Sequence, residues 1–121
     1  MSFLDIHHVQ VAAPKGSEDV LRAFYSGVLG LPEVAKPADL AGRGGAWFRA
    51  GTVELHLGVE EPFAPARKAH PALLVDDLDD LAARLEASGY QVERGTLPGF
   101  RRFHVSDPHG NRLEFLQAEA G

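Results

Sequence analysis

The same order of elements can be read twice along this chain, and that repeat constrains its fold more than any other feature. Residues 3 to 12, FLDIHHVQVA, are rich in apolar and β-branched side chains and predict a strand that ends at Pro14 and Gly16. Ser17 is placed to cap a helix, and Glu18 and Asp19 suit its positive N-terminal end. Val20, Leu21, Phe24 and Val28 recur at helical spacing before Gly30 and Pro32 stop it. Strands follow over residues 31 to 35, 46 to 50 and 53 to 59, with a loop at 38 to 45 and a turn at Gly51-Thr52. Beyond a loop holding Pro62, Pro65 and Pro71, the order restarts with ALLV at 72 to 75. Asp76 or Asp77 caps a helix, DLDDLAARLEAS, with Leu78, Leu81 and Leu85 as its buried stripe and Gly89 as its stop. Strands over 90 to 94, 101 to 106 and 112 to 117 complete the second half, the last two joined by the turn Asp107-Pro108-His109-Gly110. GTVELHL, late in the first half, is echoed by GNRLEFL, late in the second.

Each half alone leaves one face of its sheet bare, so two α+β halves with their helices outside are the physically sensible arrangement. At 121 residues the chain fits one domain and is too short for two independently stable ones. The expectation is therefore a single domain over 1–121, with module one at about 1–60, a linker at about 61–69 and module two at about 70–121. A hydrophobic fraction of 45% and a charged fraction of 24% argue against disorder or a fibrous class. The net charge of -5 argues against a nucleic-acid backbone as partner. Cysteine is absent, which excludes disulfides, thiolate nucleophiles and sulfur-ligated metals and leaves nitrogen and oxygen as metal donors. No apolar run approaches the length of a membrane span and the first residues do not form a leader, so a soluble, cytoplasmic protein with no membrane partner is expected.

Four potential metal ligands, His8, Glu54, His70 and Glu114, stand near the start and the end of the two halves. Alternation along a strand puts Val53, Leu55 and Leu57 on the helix side and leaves Glu54 and His56 opposite; Leu113 and Phe115 leave Glu114 opposite in the same way. An unpaired carboxylate on such a strand costs several kcal/mol or shifts its pKa, and a metal removes that cost. The bland alternative is that these groups are solvated at strand ends or paired with arginine. His7 and His8 are adjacent and point to opposite faces, so one of them at most is a ligand. His56 shares a face with Glu54 and competes with it, as ligand, as hydrogen-bond partner of a ligand, or as substrate contact. His104, opposed by Phe103 and Val105, is a candidate proton donor or substrate contact, whereas His109 sits in a turn and is expected to be exposed. Arg67-Lys68 and Arg101-Arg102 could attract a carboxylate or phosphate, and Trp47, Phe48 and Phe100 could line a pocket or simply pack in the core.

Three stretches carry a family resemblance: IHHVQV with the helix ending FYSGVLGLP, AHPALLVDDLDDLAARL, and FHVSDPHGNRLEF. Together they resemble the vicinal oxygen chelate superfamily, which includes glyoxalase I, fosfomycin- and bleomycin-resistance proteins, methylmalonyl-CoA epimerase and extradiol dioxygenases. The resemblance implies two βαβββ modules forming a cupped mixed sheet around a central cavity, and a homodimer. It implies a divalent metal (Ni, Zn, Mn, Co or Fe) on His8, His70 and Glu114, with Glu54 resembling the fourth, glyoxalase-type ligand and His104 matching a substrate-contacting position. The cationic and hydroxyl positions of the fosfomycin-resistance branch are not found here. His56, and Pro71 directly after His70, fit no named branch.

Two functions follow as expectations. One is a metal-dependent lyase or isomerase of the glyoxalase type, in which Glu54 or Glu114 moves a proton on a small oxygenated substrate chelated by the ion. The alternative is a non-catalytic small-molecule or antibiotic-binding protein of the bleomycin-resistance type, lined by Trp47, Phe48 and Phe100.

Overall fold

A computed structural model describes residues 1–120. The chain divides into two compact units, Met1–Ala64 and Pro65–Gly121. Unit 1 contains strand β1 (His8–Ala13), a helix, and strands β2 (Glu33–Val34), β3 (Ala46–Ala50) and β4 (Val53–Val59). Unit 2 repeats the order with β5 (Ala72–Leu74), helix α2 (Leu78–Ala87), β6 (Glu93–Leu97), β7 (Phe100–Ser106) and β8 (Arg112–Ala118). Each sheet has four strands, ordered β1-β4-β3-β2 and β5-β8-β7-β6, with a parallel pair between its first and last strands in sequence. The fold is α+β, as the strand and helix periodicities predict.

In unit 1 the inward alternation of β1, β3 and β4 buries Val11, Ala13, Ala46, Phe48, Leu55 and Leu57. Against that face pack Leu21, Phe24 and Tyr25 of the helix, with the Tyr25 ring stacked 5.4 Å from Phe48. Phe48 is fully buried here, so it cannot line a pocket on the other face. The helix is less regular than its sequence predicts. α1 (Glu18–Leu21) passes at once into a π-helical stretch, Arg22–Val28, closed by the Leu29 amide donating to the Phe24 carbonyl at 2.9 Å. The extra residue per turn carries Tyr25 and Leu29 into the core, while Val20 is 46% exposed. Ser17 makes no side-chain cap; its hydroxyl donates to the Pro14 carbonyl at 2.6 Å. β1 is also shorter than predicted: Phe3, Leu4 and Ile6 lie outside it and are exposed.

Unit 2 follows its sequence more closely. Asp77 caps α2 by accepting from the Asp80 amide at 3.0 Å, and the Gln117 side chain of β8 accepts from the Leu78 amide at 2.8 Å. Leu78, Leu81, Ala82 and Leu85 then bury against Phe103, Val105, Leu113 and Phe115. Gly89 ends the helix at φ 89°, where the Tyr90 amide reaches the Leu85 carbonyl at 3.0 Å. β6 begins three residues later than the stretch predicted from Tyr90, because Tyr90 belongs to this helix stop.

One glycine is demanded by close approach. Gly45, at φ 76°, enters β3 so near β4 that a Cβ would stand 2.0 Å from the Leu57 carbonyl oxygen. Gly45→Ala is expected to destabilise the protein by about 2 kcal/mol or more, combining left-handed strain with the clash. Gly51→Ala also carries positive φ but has open space around it, and should cost less. Urea unfolding of the two variants measures the difference.

Candidate metal centre

The sheet alternation that buries Phe103, Val105, Leu113 and Phe115 turns His104 and Glu114 to the other face of unit 2. The two residues are direct partners across the β7–β8 ladder. His70, two residues before β5, joins them. Its Nε2 lies 2.8 Å from Glu114 Oε1, and His104 Nε2 lies 3.1 Å from the same oxygen. A donor atom from each of the three residues falls within 4.8 Å of the others. Glu114 is only 5% exposed, and its second oxygen accepts from Arg102 at 3.3 Å.

The hydrogen-bond pattern at His70 defines what this cluster can hold. His70 Nδ1 lies 2.8 Å from the Lys68 carbonyl, which can only accept, so the proton sits on Nδ1. In a neutral ring Nε2 then presents a lone pair toward a carboxylate oxygen, a repulsive contact unless a second proton or a cation lies between them. A backbone carbonyl fixing the tautomer of a histidine is the usual support for a metal ligand. Ligand atoms about 2.1 Å from one ion stand roughly 3 to 3.4 Å apart, close to the spacings found here. Two imidazoles and a carboxylate suit a divalent ion of the Zn, Ni, Co, Mn or Fe kind. The residues present therefore fit a metal.

Electrostatics favour the same state. Burial works against ionisation of Glu114, but its contacts with His70 and with the Arg102 guanidinium outweigh it and hold the carboxyl below its ordinary value of 4.5. Burial, helped by the charge of Arg112, pushes His104 below its ordinary 6.5 against the pull of Glu114, so its ring is neutral at pH 7. Both folded-state values are depressed. Their contribution to the stability of metal-free protein is thus fully present above the unfolded values and is lost as pH falls through the folded ones. Urea midpoints should begin to drop below about pH 6.5 through His104 and drop further below about pH 4.5 through Glu114, the second fall being smaller in Glu114→Gln. Equal acid sensitivity in the two proteins would contradict this assignment.

Unit 1 carries a related but different arrangement. His8 and Glu54 are register partners on β1 and β4, and Glu54 Oε1 lies 2.9 Å from His56 Nε2. The hydrogen bond to His56 and, after the opposing effect of burial, the charge of Arg49 keep Glu54 ionised. His56 is buried and sandwiched: Trp47 stacks on it at 3.8 Å and His8 at 4.2 Å. The His8 and His56 rings stack with an interplanar angle of 14°, whereas those of His70 and His104 stand at 76°. His7 is exposed, with Nδ1 2.9 Å from that of His8, just ahead of the edge strand β1.

The register identifies which unit 1 residue corresponds to Glu114. Glu114 pairs with His104 on one side and Ala72 on the other; His56 pairs with Trp47 and Gln10. Superposing these rows sets His8 on His70, Trp47 on His104 and His56 on Glu114. Placing Glu54 on Glu114 instead would set His8 on Ala72 and break the match. The counterpart of Glu114 is therefore His56, and the echo of GTVELHL with GNRLEFL is displaced by one residue.

Other sequence-derived candidates are distributed as follows. Arg101 pairs with Asp79 on the helix side, away from the cluster, whereas Arg102 reaches Glu114. Alternation already puts Arg102 on the face of His104, a signal the doublet RR obscures. His109 is half-buried rather than exposed, because the Asp107 carboxylate draws in its turn by accepting from the amides of His109 and Asn111, both at 2.9 Å. Asn111 in turn accepts from the Ala66 amide at 2.9 Å, which ties the segment before His70 to the turn before Glu114. No sequence pattern announces the Lys68 carbonyl, since any residue supplies one.

The sequence profile of the Glyoxalase/Bleomycin resistance protein/Dioxygenase superfamily matches residues 6–115, and the chain belongs to that superfamily. Among solved structures, a protein assigned to the glyoxalase family from Bacillus anthracis shares 45% identity at a TM-score of 0.94, covering 98% of each chain. Lactoylglutathione lyase from Agrobacterium tumefaciens shares 26% identity at a TM-score of 0.71, covering 93% of this chain and 92% of its own. TnmS3, an antibiotic binding protein from Streptomyces sp. CB03234, shares 24% identity at 0.75, covering 98% and 99%, a likeness of fold alone. No functionally curated protein matches the chain. No helix among the described residues is long and apolar enough to cross a membrane.

Proposed function

We propose that this protein is a metal-dependent lyase or isomerase of the glyoxalase kind, acting on a small oxygenated substrate. The observation that carries this reading is His70: its Nδ1 proton is committed to the Lys68 carbonyl while its Nε2 faces Glu114 at 2.8 Å. A divalent ion held by His70, His104 and Glu114 would polarise adjacent substrate oxygens as a Lewis acid. Glu114 holds the negative charge that draws the ion in, and Arg102 steadies its second oxygen. In unit 1 the Glu54 carboxylate, kept ionised by its hydrogen bond to His56, is the group able to accept a proton. Activity towards hemithioacetals of 2-oxoaldehydes, lost on chelation and restored by Ni or Zn, supports the reading; turnover that persists after complete metal removal contradicts it.

His56, rather than Glu54, is the residue we assign as ligand in unit 1, with His8, on the strength of the register. His56→Ala is expected to weaken metal uptake by about tenfold or more, and Glu54→Gln to leave it within about twofold while slowing turnover. The reverse pattern would restore Glu54 as ligand.

The binding-protein alternative draws support from the stacked Trp47, His56 and His8 rings, which form a flat aromatic surface. It loses Phe48, which is buried in the core. Ligand affinity indifferent to chelators separates it from the enzyme reading. A cytoplasmic homodimer is part of the proposal: Met1, Phe3, Leu4 and Ile6 form an exposed apolar segment at the start of the chain. Light scattering should give about twice the 13.1 kDa chain mass.

A further inference from the structure

We infer that unit 2 holds an oxyanion-binding subsite one row beyond the metal cluster, formed by Arg67 and Arg112, and that the substrate is a small oxygenated molecule carrying a carboxylate or phosphate group. A cavity of about 740 Å³ in this unit is lined by Arg67, Arg112, Ser106 and Glu93 and reaches His104 of the cluster. Ser106 and Arg112 are ladder partners, as His104 and Glu114 are, and by alternation the two pairs lie on the same face. The rows are two residues apart, about 7 Å along the strands. That is the span of a small molecule chelated at one end and anionic at the other.

Charge supports the same occupant. Neither guanidinium pairs with a carboxylate among the described residues, unlike Arg22, Arg49, Arg94, Arg101 and Arg102, each of which does. Of the two acidic side chains lining the cavity, Asp107 is committed to the amides of its own turn, which leaves Glu93 alone against two arginines. A guanidinium offers a planar fork suited to two oxygens of one oxyanion. The segment carrying Arg67 is held over the turn before β8 by the Ala66 carbonyl, which accepts from the Arg112 amide at 2.9 Å. The two arginines are thus brought to one cavity by a fixed backbone contact.

This inference rests on the metal reading only for the chelated end of the substrate, and its test separates the two. Metal-free, full-length protein is titrated with malonate, inorganic phosphate and neutral malonamide while backbone amide NMR shifts are followed. Saturable shifts centred on Arg67, Ser106 and Arg112 are expected with the anions and none with malonamide. Tighter binding of malonate identifies a carboxylate substrate, and tighter binding of phosphate a phosphorylated one. Arg67→Gln and Arg112→Gln should each weaken the anion by about tenfold, and Glu93→Gln should tighten it. Arg→Lys variants, which keep the charge without the fork, should fall between and replace any Gln variant that fails to fold. No saturable binding to wild type, or wild-type affinity in either arginine variant, overturns the subsite. Metal uptake measured on the same samples keeps the readings apart. Anion binding without metal uptake in wild type sinks the metal site alone, and metal uptake without anion binding sinks the subsite alone.

Discussion

Glu114→Ala is expected to lower divalent-ion affinity by more than about 100-fold, beyond the 10- to 100-fold typical of residues that only support a ligand. Glu114 is the oxygen that both His70 and His104 address, and the one carboxylate within the cluster. Removing it leaves two imidazoles beside the Arg102 guanidinium, which then repels a cation instead of being neutralised. Glu114→Gln should fail almost as completely, because the amide keeps the shape but loses the charge. Isothermal titration of metal-free protein with Zn or Ni reads the difference. Comparable affinity in Glu114→Ala would mean that the hydrogen-bonded cluster is an ordinary buried polar network. Arg102→Gln provides the opposite sign: with a competing cation removed from Glu114, metal affinity should rise or hold while the pKa of Glu114 moves up.

The second large effect lies on the other face of the same sheet, on the neighbouring strand β7. Phe103→Ala should cost about 3 to 5 kcal/mol, the usual range for deleting a buried aromatic ring. Phe103 is 1% exposed and its ring centroid lies 5.5 Å from that of Phe115, the residue next to Glu114. The loss is comparable with much of the total stability of a small domain, so a large unfolded fraction is expected under native conditions. Phe100→Ala, on the opposite face of β7 and half-exposed, is the control and should cost less than half as much. Urea unfolding distinguishes them, and equal losses would show that the helix side of this sheet is not the core of unit 2.

Much of unit 2 was legible because its residues obey one period at a time. In RFHVS and RLEF the apolar residues alternate, so the faces of His104 and Glu114 follow without a structure. Asp77, Leu78 and Gly89 mark cap, stripe and stop of α2 in the order a regular helix requires. The first helix was less legible. Its stripe changes from Leu21 and Phe24 to Tyr25 and Leu29 through a π-helical stretch, and no propensity rule anticipates an extra residue per turn. Phe48 could not be assigned to pocket or core until β3 was placed against Tyr25.

The candidate site was legible in type and not in register. Strand alternation puts Glu54 and His56 on one face and cannot choose between them, because both lie two residues apart on β4. Only the pairing with Trp47 and Gln10 identifies His56 as the counterpart of Glu114. Matching GTVELHL to GNRLEFL by their glycines sets Leu55 on Glu114, between the two candidates, because it ignores the different turn lengths before β4 and β8. His104 illustrates a different gap: its face was readable, but its share in one oxygen of Glu114 with His70 depends on where a non-strand residue, 34 positions earlier, is placed by the Lys68 carbonyl and the Ala66–Asn111 hydrogen bond.

The central claim is that His70, His104 and Glu114 hold a divalent ion. Elemental analysis of protein purified after supplementation with Ni, Zn, Mn, Co or Fe tests it most directly. About one tightly held ion per chain is predicted for wild type, with uptake abolished in His70→Ala and Glu114→Ala. Wild-type protein that retains no ion after supplementation, or uptake that survives both substitutions, would contradict it.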